Sequence, residues 1–167
     1  SLINRATGSV HAEACIARLQ AGGYINSCVH AYEKGIYVFE GAIEILRAGE
    51  IIQLATDGYA LIPYATAYAI RNVGAGSARW FEILAPQPKP AAAFKDLFFT
   101  GDNSWPENAV RGPAGKGVGR FIAENPLPAQ YGALANGLSV YRFMERQSGA
   151  QCFYMMRGEM SAGAFRT

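Results

Sequence analysis

Short runs of alternating apolar and polar residues, rich in β-branched and aromatic side chains, recur through the first half of the chain. A period of two sends successive side chains to opposite faces of an extended strand, so this rhythm predicts strands rather than helices. The strands it predicts cover residues 14–19, 36–39, 42–46, 51–54, 59–62, 67–72 and 79–84. Gly22-Gly23, Glu40-Gly41, the segment 47–50 and Asp57-Gly58 mark the turns between them, Asp-Gly being a strong hairpin signal. Strands returning at intervals of roughly ten residues argue for an all-β barrel or sandwich.

The pattern then breaks. Pro86-Gln-Pro88-Lys-Pro90 favours an extended linker. Residues 91–98 read as a short helix, 103–119 as loop, and 120–123 and 138–145 as strands again. Residues 1–88 thus form one complete β unit, 89–117 a linker, and 118–167 the first part of another. A repeat supports two related units. The stretch from Cys28 to Gly41 carries His30, Glu33, Lys34 and Tyr37 ahead of its glycine. The stretch from Glu145 to Gly158, 117 residues later, carries Gln147, Gln151 and Tyr154 and keeps the Tyr-x-x-x-Gly ending. Each copy reads as a polar cluster, a short apolar strand and a glycine turn.

Composition narrows the picture. The 167 residues are 50% hydrophobic and 17% charged, which is material for a real core. The 19 glycines and 8 prolines suit a turn-rich β protein. A net charge of +2 without a basic run excludes a nucleic-acid surface. Three cysteines, Cys15, Cys28 and Cys152, form no Cys-x-x-Cys pair, which points to a reducing, cytoplasmic setting. No apolar run approaches the ~18 residues of a membrane span, and no basic segment leads into an apolar one as in a signal peptide. The chain starts without methionine and stops directly after a strand-like segment, so it is expected to be a fragment. Half a barrel leaves strand edges bare, which predicts a homodimer with the C-terminal strands exchanged or packed across the interface. The glycine-rich stretch 115–119 lacks the spacing and the Ser/Thr of a phosphate loop.

The punctuation of the first unit resembles the cupin superfamily, whose first motif runs Gly-x5-His-x-His-x(3,4)-Glu-x6-Gly. Gly22 opens it here, Cys28 stands at the first histidine, His30 at the second, Lys34 at the glutamate and Gly41 closes it, with Glu33 one residue early. The second motif, Gly-x5-Pro-x-Gly-x2-His-x3-Asn, is matched by Asp57-Gly58, Pro63, Ala65, Tyr68 and Asn72. The resemblance implies an all-β, cupin-type double-stranded β-helix, one complete barrel plus the start of a second. As a bicupin the chain looks like the ureidoglycine aminohydrolase family. That likeness implies a catalytic metal in the second barrel, where Glu145 matches the family's glutamate while Gln147 and Gln151 replace its two histidines.

Two functions follow as alternatives. One is a degenerate, metal-poor bicupin that binds a small polar organic molecule through Cys28, His30, Glu33, Tyr37 and Tyr68. The other is a metal-dependent hydrolase releasing ammonia from a small ureido compound, with Glu145, Gln147 and Gln151 as catalytic remnants. The cofactor is correspondingly none, or a divalent Mn, Fe, Ni or Zn ion for which His30 and Glu33 are the candidate ligands and Cys28 a softer third.

Overall fold

A computed structural model of the chain describes residues 1–90, 96–101, 105–106, 110–111, 116–122 and 135–166. Eight strands fold in order from β1 (Glu13–Leu19) and β2 (Tyr24–His30) through β3 (Glu33–Glu40), β4 (Ala42–Arg47), β5 (Glu50–Ala55), β6 (Gly58–Ile62) and β7 (Tyr68–Asn72) to β8 (Ala78–Ala85). Then come β9 (Leu97–Phe99), β10 (Val110–Arg111), β11 (Val118–Arg120), β12 (Ala135–Met144) and β13 (Met155–Arg166). One sheet has the order β1-β8-β3-β6-β11, the facing sheet β10-β5-β4-β7-β2-β9, and β12 and β13 form a separate hairpin.

The seven strands expected from the alternation are all present. β2 was not expected, because Asn26 and Ser27 interrupt its apolar phase. The helix predicted over 91–98 is corrected at its end: Leu97–Phe99 is a strand paired with Cys28, Val29 and His30, while 91–95 lie outside the described residues. The loop predicted over 103–119 and the strand predicted over 120–123 are also corrected, since β11 spans Val118–Arg120 and pairs with β6.

Alternation within β3 decides the layout. Ile36 and Val38 point into the barrel with Ala60, Ile62 and Trp80, where they meet Ile43, Ile45, Ile52, Leu54 and Ile70 of the facing sheet. Tyr37 points outward and joins a second core with Leu61, Ala85, Met144, Phe153 and Met155. The sheet is thus buried on both sides, by the facing sheet within and by the β12–β13 region without. Gly35 lies at the contact, where a β-carbon would come within 2.7 Å of Met155 Cε and 2.9 Å of the Phe153 ring. Gly41 takes φ 81° in the β3–β4 turn, whereas its counterpart Gly158 lies inside β13 opposite Val140 and makes no turn.

Candidate functional site

The same parity sorts the candidate residues. Cys28 and His30, two apart on β2, face the barrel interior, and Tyr68 is the direct neighbour of Cys28 across the β2–β7 pair. Lys34, on the phase of Ile36, enters from the opposite sheet. Its ammonium lies 5.4 Å from the centre of the Tyr68 ring and 3.4 Å from the Glu82 carboxylate. Glu82 also accepts from Trp80 Nε1 at 3.1 Å and from the Cys15 thiol at 3.5 Å. A half-buried carboxylate is tolerable with these donors around it.

The motif turns bring the two halves of this cluster together. Ala65 stands at the second motif's glycine and takes φ 51°, the left-handed conformation for which glycine is usual there. From that turn its N–H donates to the His30 carbonyl at 3.0 Å, and the chain then runs on into Tyr68. Asn72, the motif's last residue, is structural: its amide donates to the carbonyls of Leu19, Gln20 and Gly76.

His30 is the group with unspent chemistry. Its Nδ1 lies 2.6 Å from the Tyr32 carbonyl, which can only accept, so Nδ1 carries the proton. The ring stacks on Tyr32 with centroids 4.1 Å apart and meets the Tyr68 ring edge-on at 5.1 Å. Burial first, and the Lys34 charge second, push its pKa down to about 4, against a smaller upward pull from the Tyr32 carbonyl. The imidazole is therefore neutral near pH 7, with a lone pair on Nε2. That atom is buried and has no hydrogen-bond partner among the described residues. Burial, then Cys28, holds the Tyr68 phenol far above the usual range, so Tyr68 stays protonated and can donate.

These donors do not fit a divalent transition metal. They offer one imidazole, one thiol and one phenol, and the carboxylate slot of the first motif holds an ammonium. Among the described residues no group of three or more His, Cys, Asp or Glu side chains converges, and such a site needs that convergence.

Glu33 and Tyr37, on the other phase of β3, lie outside the barrel. Glu33 is fully buried, and its carboxylate accepts the backbone N–H groups of Gln151, at 2.9 and 3.0 Å, and of Cys152 at 2.8 Å. It ties the barrel to the segment before β13 and shares no site with His30. The Tyr37 hydroxyl donates to Asp57 at 2.6 Å and accepts from Arg157 at 2.9 Å. Glu145 opens a 3-10 turn (Arg146–Ser148) and pairs with Arg142 at 3.0 Å, while Gln147 and Gln151 are both exposed. Sequence reasoning passed over Glu82, Asp57 and Arg157. Glu82 had a readable signal, a charged residue on the inward phase of an otherwise apolar strand.

No protein-family model matches the chain. It is 35% identical over 83 residues to Polyketide synthase CurC of Streptomyces cyaneus, a match covering 48% of this chain and 54% of CurC, so the chain spans about half the length of that curated relative. The polyketide cyclase RemF of Streptomyces resistomycificus superposes with a TM-score of 0.52 at 15% identity, covering 62% of this chain and 70% of RemF. The cupin domain of Cnp3 from Schizosaccharomyces pombe gives a TM-score of 0.45 at 19% identity, over 46% of this chain and 56% of its own. Two sheets, antiparallel apart from the short β10–β5 pair, closed face to face around one interior with both motifs at the turns that furnish it, make this fold the cupin double-stranded β-helix.

Proposed function

We propose that the protein binds a small enolic or phenolic molecule in its barrel and does so without a bound metal. The observation that carries this reading is the buried, neutral His30 with an unpartnered Nε2. An acceptor left bare in the interior costs about 1–3 kcal/mol, which a ligand hydroxyl would recover by donating to it. Tyr68 supplies a protonated phenol beside the ring, and Lys34 an ammonium held by Glu82. The set suits a molecule whose hydroxyl sits next to a carbonyl: His30 takes the donated proton while Tyr68 or Lys34 donates to the carbonyl oxygen. The likeness to CurC supports a polyketide-like ligand, because 1,3-dicarbonyl chains and the rings formed from them carry enols and phenols.

The test uses the fact that the chain has only two histidines, His11 and His30. Nitrogen-15 NMR of the imidazoles is followed while acetylacetone, an enolising 1,3-dicarbonyl, is titrated into the protein. The Nε2 resonance of His30 is expected to move saturably with that of His11 fixed, and His30→Gln to abolish the response. A stationary His30 signal overturns the reading. Stoichiometric Mn, Fe, Ni or Zn in purified protein, lost on His30→Ala, would overturn it too. That outcome would place a metal site in the first barrel at His30, whereas metal retained in His30→Ala would favour the hydrolase resembling ureidoglycine aminohydrolase, whose metal belongs to the Glu145 region.

A further inference from the structure

A cavity lies outside the barrel, between the outward face of the β3–β8 sheet and the β12–β13 hairpin. Its volume is about 500 Å³, within the range of small-molecule sites. Tyr37, Phe39 and Phe81 form its floor, and Phe143, Met155 and Met156 its wall. Two of these sit half-exposed on the rim, Phe39 at 46% and Met156 at 48%. Large apolar side chains left in water around a concave aromatic floor mark a surface shaped for a ring.

One corner of the cleft is polar. Arg157 donates from Nη1 to the Tyr37 hydroxyl at 2.9 Å and to Asp57 Oδ1 at 3.1 Å, and its Nη2 forms an ion pair with Glu159 at 2.9 Å. Its guanidinium also lies 4.3 Å from the centre of the Phe121 ring, which fixes the fork in place. Tyr37 spends its own proton on the same Asp57 Oδ1. Both bonds to the Asp57 side chain therefore fall on one oxygen. No described residue donates to Oδ2, and the side chain is one-third exposed at the cleft. One guanidinium against two carboxylates leaves the corner net negative, which repels an anion.

We propose that this cleft binds a flat, uncharged aromatic compound bearing a hydroxyl. The ring lies between the aromatic floor and the methionine wall, and its O–H is donated to Asp57 Oδ2. The sheet separates this site from His30, and the inference does not rest on the barrel reading.

Fluorescence titration with 2-naphthol near pH 7 tests it. Saturable binding is expected, with 2-naphthoate, its anionic counterpart, at least tenfold weaker. Asp57 takes φ 67°, so Asp57→Gly removes the acceptor yet suits the backbone. It should weaken 2-naphthol about tenfold or more, the scale of a lost hydrogen bond to a charged group. Phe39→Ala, on the exposed rim, should weaken it several-fold, and His30→Ala should leave it unchanged. Absence of saturation, or naphthoate binding as tightly as naphthol, overturns the proposal. So does unaltered affinity in both cleft variants, or loss confined to His30→Ala, which would put the ring in the barrel. Should Asp57→Gly lose its native circular dichroism, Phe39→Ala decides alone.

Discussion

A buried imidazole that stays neutral makes stability depend on pH, with a definite sign. The folded pKa of His30 is about 4 against an ordinary 6.5, so between these values the unfolded chain binds the extra proton. Its contribution is complete above pH 6.5 and is lost as pH falls towards 4, by about 3 kcal/mol. Urea unfolding midpoints measured across that window should fall steeply in the wild type and less in His30→Gln. Equal slopes would show that His30 does not titrate as an isolated buried base. At this scale much of the inner site was legible: the first motif named Cys28 and His30, and the second named Tyr68. Glu33 shows the limit. It stands one residue from the motif's glutamate slot, and in a strand one residue is the whole distance between two faces.

At the level of elements, the hairpin is seated on the sheet through a missing side chain. Gly35→Ala would push a methyl group against Met155 and Phe153, and overpacking of this kind costs about 1–3 kcal/mol. The alternative sign is equally concrete, because alanine in an open strand position stabilises by narrowing the unfolded ensemble. The expected result is a lower melting temperature together with faster proteolysis around residues 145–152. A stabilised protein would mean that the hairpin does not press on Gly35. Elements held by their own alternation could be read directly, whereas those imposed by neighbours could not. Phe98 and Phe99 are 51% and 70% exposed and show no inward phase, so β9 owes its strand form to the free edge of β2. Phe143 and Met155 gave no sequence sign that they face Tyr37 and Phe81, because nothing local encodes that docking.

For the molecule as a whole, the central strand carries two assignments at once. Lys34 and Glu33, adjacent in sequence, serve the barrel interior and the joint to the 151–152 segment respectively. Membrane passage by helix plays no part in this architecture among the described residues, since no helix there is long and apolar enough to span a bilayer. β3 is hydrogen-bonded on both edges, to β8 and β6, and covered on both faces. Local opening cannot free its amides without lifting the hairpin or parting the two sheets, so they should report global unfolding. In a hydrogen–deuterium exchange experiment the amides of residues 35–38 should be the last to exchange. Those of β1, at the edge of the same sheet, should go earlier. β12–β13 amides that outlast β3 would show the opposite order, with the hairpin as the more persistent unit. A strand of this kind acts as a clock for the entire fold: its exchange rate, read at single residues, measures the free energy of the whole molecule.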